Sequence, residues 1–241
     1  MARALAADER KGVKAALKSA KRRLDAEDAE AARLAGMYDF QRELASGGVA
    51  VGLDEVGRGP VAGPLAVAAV VLPDEPRVQG VNDSKQLSPE HREKIAAVVR
   101  EVALAWDIEY IAPAEIDEHG MTWALRTAFT RAIASVESQL NERGIALDAV
   151  LLDGNAQHLD PREVNIVKGD GRCASIAAAS VIAKVERDAL MVRYAEQYPE
   201  YGFDSNKGYA SADHIEAIKR CGLSPIHRAS FCRAWTQEAL F

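Results

Sequence analysis

A chain of 241 residues with 48% hydrophobic and 27% charged residues lies in the ordinary globular range and can bury a substantial core, which excludes a disordered or fibrous chain. Thirty Lys and Arg against thirty-six Asp and Glu leave a net charge of −6 and a pI near 5.5, so polyanions are not bound by bulk charge and any nucleic-acid site has to be local. Apolar runs near 61–72 and 173–183 are too short for a bilayer span, and Cys173, Cys221 and Cys232 have no C-x-x-C spacing, so a reducing, cytoplasmic setting without membrane association is expected.

The first 23 residues carry eight basic groups (Arg3, Arg10, Lys11, Lys14, Lys18, Lys21, Arg22, Arg23) against Asp8 and Glu9, whereas the body is acidic. From Ala2 to about Ala45 the composition favours helix, with a sparse apolar stripe (Leu5, Val13, Leu17, Leu24) that predicts one or two surface helices. This leader has no apolar signal-peptide core. Ser46-Gly47-Gly48 breaks the pattern, so residues 1–46 read as a basic helical extension, 47–198 as the main domain and 199–241 as a helical C-terminal region.

Val49–Leu53 and Leu65–Val71 predict two strands joined through Gly57-Arg58-Gly59-Pro60. Ser88-Pro89-Glu90 is a helix start, opening a helix to about Arg100. Ala103–Ile111 reads as a third strand, and Ala114–Asn141 as helix broken at Gly120. Asp148–Leu152 and Val164–Val167 give two more strands, and an alanine-rich helix runs from after Gly171 to Tyr194, small enough on one face to pack closely on the sheet. Shorter helices are expected over Asp213–Arg220 and Ala234–Leu240. The sum is an α/β domain with a mixed sheet.

Four carboxylates fall at strand ends, where loops place chemistry: Asp54 and Glu55 after the first strand, Asp153 after the fourth, Asp170 after the fifth. Hard divalent ions such as Mg²⁺ take such oxygen ligands, and two ions together can cleave a phosphodiester. Each acid alone could equally be a turn former or helix cap. Asp54 and Glu55 point to opposite faces of a regular strand, so serving one site requires a bend after Asp54. Gly57-Arg58-Gly59 could be a plain connection, or could let backbone approach a sugar-phosphate while Arg58 donates to phosphate. Asn82-Asp83-Ser84-Lys85 reads as a turn or a phosphate contact. Ser175, Ser180 and Lys184 fall near one face of the alanine-rich helix, whose start could offer amide donors to an anion. Arg187 and Asp188 read as an ion pair or a solvated stretch.

The runs 51–64 (Val51-Gly52-Leu53-Asp54-Glu55-Val56-Gly57-Arg58-Gly59-Pro60 onward), Asn82-Asp83-Ser84-Lys85, Leu152-Asp153-Gly154, Lys168-Gly169-Asp170, 175–184 and Asn206-Lys207-Gly208-Tyr209, with His214 and 227–231, resemble ribonuclease HII in order and spacing from about Val49 to Phe231. The resemblance implies an RNase H-like fold, a mixed five-stranded sheet flanked by helices, with a helical C-terminal region. It implies a metal-dependent endonuclease that cuts RNA in RNA–DNA hybrids and incises 5′ to single ribonucleotides in duplex DNA, leaving 3′-hydroxyl and 5′-phosphate ends. Asp54, Glu55, Asp153 and Asp170 would be the catalytic, metal-binding carboxylates for two Mg²⁺ or Mn²⁺ ions. One ion is expected near Asp54 and Asp170, the other near Asp54, Glu55 and Asp153. Gly57, Arg58 and Gly59 match the loop that reads the 2′-hydroxyl, and Tyr209 the tyrosine that packs on the following deoxyribose. Asn82, Ser84, Lys85, Ser175, Ser180 and Lys184 are the further expected substrate contacts.

The intact G-R-G sets the chain apart from the related type HIII enzymes, while Ser211 stands where threonine is commoner. The C-terminal Gln237-Glu238-Ala239-Leu240-Phe241 resembles a sliding-clamp docking peptide, or else is a last helical turn burying Leu240 and Phe241. The basic leader could act as an additional phosphate-binding arm. A monomer suits a long duplex substrate. A non-catalytic hybrid or junction binder is the alternative, and all four carboxylates being present gives it no support.

Overall fold

The structure, a computed structural model, describes residues 10–236. Leu5 and the peptide holding Gln237, Leu240 and Phe241 lie outside the described residues. Five strands form one mixed sheet in the order β3-β2-β1-β4-β5. They are β1 (Ala50–Val56), β2 (Leu65–Val71), β3 (Ala105–Ile111), β4 (Ala149–Asp153) and β5 (Glu163–Ile166). The β1–β2 and β2–β3 pairs run antiparallel; β4 joins parallel to β1 after the helices that follow β3, and β5 pairs parallel to β4 across the loop 154–162. The helices are α1 (Lys11–Leu44), α2 (Pro89–Val102), α3 (Pro113–His119), α4 (Met121–Asn141), α5 (Ala174–Gln197), α6 (Phe203–Asn206), α7 (Ala212–Cys221) and α8 (Arg233–Thr236).

All seven residues of β2 are buried, because the sheet is covered on both sides. Alternation assigns the faces: Leu53, Leu65, Val67, Val71 and Leu152 pack on α3 and α4 through Ile116, Phe129 and Val136, while Ala68 and Val70 pack with α2 and the alanines of α5. Each fully buried Val or Leu contributes about 1.5–3 kcal/mol to this core. The small residues of α5 let it come very close. A Cβ on Gly52 would stand 2.3 Å from the backbone of Ser175 and Ile176, so only glycine fits where β1 crosses the start of α5.

The N-terminal region, expected as one or two surface helices, holds one 34-residue helix, Lys11–Leu44. Leu24 is exposed, as a surface helix predicts, but Leu34, Met37 and Tyr38 are buried in the α2–α5 core. Gln41 accepts from the Ser175 amide at 2.9 Å, capping α5, which has no side-chain cap of its own. A third cluster, including Val61, Ala62, Met191, Tyr201, Phe203 and Ile218, fastens the C-terminal region to the β1–β2 connection. There Ala62 bridges to His227, and Asp117 accepts from the amides of Ala229 and Ser230. Among the described residues no helix is long and apolar enough to cross a membrane, and Cys173, Cys221 and Cys232 are all free.

Candidate active site

The carboxylates gather where the sheet loses a strand. β1 pairs with β4 only as far as Leu53↔Leu152, but with β2 onward through Asp54↔Ala68, Glu55↔Val67 and Val56↔Ala66. The strand therefore does not end at Asp54, as the sequence suggested. Pairing with β2 carries it through both acids, beyond the last β4 partner of β1. Asp153 is the last residue of β4, and its Oδ1 accepts from the Gly169 amide at 2.6 Å. That bond draws in the one-turn 3₁₀ segment Gly169–Gly171, in which Asp170 is buried. A Cβ on Gly169 would stand 2.7 Å from Ile176 Cδ1, so any larger residue there would have to displace the end of that side chain.

Crowding shows in the acidities. Burial, followed by the charge of Glu55, pushes the Asp54 carboxyl up to about 8, with Asp153 adding to the effect and a Ser180 hydrogen bond opposing it. Glu55 is raised by burial, against the pull of Arg58, and Asp170 by burial and then Asp153. Lys85 Nζ stands 3.6 Å from Asp170 Oδ2. Burial lowers the lysine, but the charges of Asp170 and its acidic neighbours more than offset this and raise it. Among the described residues no three His, Cys, Asp or Glu side chains close around a common ion position as they stand. The donor set is nonetheless all oxygen, and its raised carboxyls are those a hard divalent cation would favour in the charged form, with waters completing its shell.

Beside the acids lies the glycine loop. Arg58 is exposed and its Nη1 donates to Glu55 Oε1 at 3.1 Å. Gly57 has φ +95, and a Cβ there would meet Arg187 Nε at 2.4 Å and the Pro64 carbonyl at 2.7 Å. A Cβ on Gly59 would meet only Tyr209 Cε1, at 3.8 Å. Tyr209, half-exposed, thus stands over the loop although 150 residues separate them in sequence.

The other expected contacts divide. Ser84 is buried with its Oγ 2.8 Å from Ser180 Oγ, so these two hydroxyls join the Asn82–Lys85 loop to α5. Asn82 accepts from the Asp83 amide and donates to Gln86, while Asp83 caps the turn by accepting from the Lys85 amide. Lys184 is paired with Asp188 at 2.8 Å. Ser175 is fully buried at the Gly52 crossing, with its Oγ unpartnered among the described residues, and presents nothing to a ligand.

Two buried arginines hold the loop, and neither role was foreseen. Arg187 is not solvated and not bonded to Asp188: it donates to the carbonyls of Pro64, Ala62 and Lys207 at 2.9, 3.1 and 3.0 Å. Arg228 donates to the carbonyls of Gly57 (2.6 Å), Arg58 (3.1 Å) and Gly63 (2.8 Å). Apart from that of Lys207, the carbonyls they serve lie in the β1–β2 connection, outside any strand ladder, which a helix pattern around Arg187 does not reveal.

The chain as a whole is similar to several known proteins. A family model described as Ribonuclease HII matches residues 51–234, and one described as Ribonuclease HII N-terminal domain matches residues 1–45. Ribonuclease HII of Ruminiclostridium cellulolyticum is 44% identical over 212 residues, 87% of this chain and 81% of that one. The Clostridium acetobutylicum protein of the same name is 42% identical over 232 residues, 94% and 88% of the two chains. Among solved structures, ribonuclease H2 of Pyrococcus horikoshii aligns with a TM-score of 0.64 at 27% identity, covering 78% of this chain and 96% of that chain. An Archaeoglobus fulgidus RNase HII, solved in complex with PCNA, aligns at 0.63 and 27%, covering 79% and 98%. An RNase HIII solved with Mn²⁺ shares the fold at 0.67 and 21% identity, covering 81% and 72%.

Proposed function

This chain belongs to the ribonuclease HII family, and we propose that it hydrolyses the RNA strand of RNA–DNA hybrids and incises 5′ to single ribonucleotides embedded in duplex DNA, leaving 3′-hydroxyl and 5′-phosphate ends. It is an endoribonuclease, a phosphodiester hydrolase. The observation that carries the substrate reading is the continuity of the two half-sites. Arg58 touches Glu55 with its side chain, while its own carbonyl and its neighbour Gly57 are held by Arg228 beside Tyr209.

In this reading the loop 57–59 offers backbone to the ribose 2′-hydroxyl, the group that separates RNA from DNA. The face of Tyr209 packs on the next sugar and rejects an added hydroxyl there. Arg58 exchanges Glu55 for a phosphate oxygen, and Lys85, exposed beside Asp170, neutralises the scissile phosphate. Asp54, Glu55, Asp153 and Asp170 would hold two divalent ions, Mg²⁺ or Mn²⁺. Such a pair supplies an activated water and stabilises the departing 3′-oxygen. Asn82, Ser84 and Ser180 set the height of the Lys85 loop, and Lys184 lies further along the same helix.

The test is cleavage of a duplex carrying one ribonucleotide, with Mg²⁺, Mn²⁺ or EDTA, beside an all-DNA duplex. Metal-dependent cutting on the 5′ side of the ribonucleotide and none of all-DNA is expected. Tight hybrid binding without cutting would favour the non-catalytic binder. For the C-terminal Gln237, Leu240 and Phe241, deletion of the last five residues followed by a sliding-clamp binding measurement separates a docking peptide from a final helical turn.

A further inference from the structure

The position of Tyr209 is set through its main chain. Its amide donates to the Asn206 carbonyl at 2.9 Å, and its own carbonyl accepts from the Ser211 amide at 2.8 Å and from His214 Nδ1 at 2.7 Å. His214 lies on α7 and is fully buried; its Nε2 is 3.0 Å from Nε2 of His227, also buried. The other nitrogen of His227, Nδ1, accepts from the Ser224 amide at 2.9 Å and stands 2.8 Å from the Ser224 hydroxyl.

These contacts leave one assignment of protons. A carbonyl can only accept, so His214 carries its proton on Nδ1 and presents a bare Nε2. A backbone amide can only donate, so His227 is bare at Nδ1 and protonated at Nε2. The two ends, fixed independently, agree in the middle: His227 Nε2–H donates to His214 Nε2. A second proton on either ring would set N–H against N–H. Tyr201 and Phe203 pack on both imidazoles at ring-centre separations of 4.8–6.1 Å and keep water out.

The chain of bonds also closes on the glycine loop. His227 is bridged to Ala62, with the Arg228 amide donating to Val61 and the Gly63 amide to Ile226. From the Tyr209 side, the Gly208 carbonyl accepts from the amides of Val61 and Ala62. The path from the loop through His227 and His214 to Tyr209 and back is therefore a closed ring of contacts.

We propose that Ser224, His227 and His214 form a fixed-tautomer relay that anchors the Tyr209 carbonyl and sets the Tyr209–Gly59 gap, making both histidines positioning residues for recognition of the RNA-to-DNA junction. This rests on the reading of Tyr209 given above. It assigns the histidines no proton transfer to or from substrate.

The test compares His214→Leu, which removes the donor, with His214→Asn, which keeps an N–H at the place of Nδ1. The readout is the ratio of kcat/KM on a duplex with one ribonucleotide to kcat/KM on an uninterrupted RNA–DNA hybrid, with melting temperature measured alongside. Loss of one buried hydrogen bond predicts a five- to tenfold fall in the ratio, on the order of its usual net worth, for His214→Leu and roughly twofold or less for His214→Asn. Added to Tyr209→Ala, His214→Leu should lower the ratio no further. A folded His214→Leu protein with the wild-type ratio overturns the relay while leaving the role of Tyr209 intact. Equal falls for Leu and Asn overturn it in favour of plain packing. An unchanged ratio in Tyr209→Ala overturns both readings together. If His214→Leu does not fold, His227→Leu against His227→Gln makes the same comparison, Gln keeping a donor at the Nε2 position.

Discussion

The two glycines that flank Arg58 should respond oppositely to alanine. At Gly57, φ +95 alone costs an L-residue roughly 1–2 kcal/mol. The new Cβ would also stand 2.7 Å from the Pro64 carbonyl and 2.4 Å from Arg187 Nε, whose bond to that carbonyl would have to break. A buried hydrogen bond lost in this way adds about 1–3 kcal/mol. The total, about 3 kcal/mol, lowers the melting temperature by roughly 6–12 °C for a chain of this size. At Gly59 the Cβ meets only Tyr209 Cε1, at 3.8 Å, an ordinary contact, so the stability change should stay within about 0.5 kcal/mol. The methyl group would instead occupy the surface where backbone meets ribose, and a displaced substrate should cost at least about tenfold in kcat/KM. Thermal melts read beside single-ribonucleotide cleavage separate the two effects. A Gly57→Ala protein that melts with the wild type, or a fully active Gly59→Ala protein, would refute the division of the motif into a structural and a substrate-facing glycine.

Arg228→Met should cost about 3 kcal/mol in denaturant melts, because the carbonyls of Gly57, Arg58 and Gly63 lose their donor in a dry site; Arg228→Lys should not restore it, lacking the planar fork. Asp54→Asn should abolish cleavage, yet in chelator melt no lower than the wild type, since burial and Glu55 already disfavour the charged carboxyl there; residual activity would sink the carboxylate assignment. Burial, with His214 adding to it, depresses His227 from 6.5 to about 4, so between those values the unfolded chain binds more protons. Stability should then fall as pH drops from about 6.5 to about 4, by on the order of 3 kcal/mol, and His227→Gln should flatten that slope in urea melts. Gln41→Leu removes the acceptor for the Ser175 amide and should cost about 1 kcal/mol, read as a thermal shift of roughly 2–4 °C.

Much of the fold was legible because its signals are local. β2 reads as an uninterrupted apolar run since it is buried on both faces, and α2 is announced by Ser88, whose side chain accepts from the His91 amide, followed by proline. Gly120 separates α3 from α4 through φ +83, a conformation glycine adopts without cost. The four carboxylates and the G-R-G run likewise stand out as residue types at strand ends. Burial and partnership did not stand out, because they depend on what arrives from elsewhere in the chain. That Asp54 and Glu55 lie within a continuing strand depends on β2 outlasting β4 as a neighbour. That Ser175 is walled in depends on how closely α5 crosses Gly52. Arg187 reads in sequence as an ion-pair partner of Asp188 or a solvated residue and Arg228 carries no separate signal, and only the packing of the C-terminal region over the β1–β2 loop surrounds them with carbonyls that no ladder satisfies. The chemistry of the site was thus written in its residue types, which act through short range and spacing. Its geometry, and the groups that hold it, were set by contacts between different elements, those of Arg187 and Arg228 with the β1–β2 loop spanning more than a hundred residues.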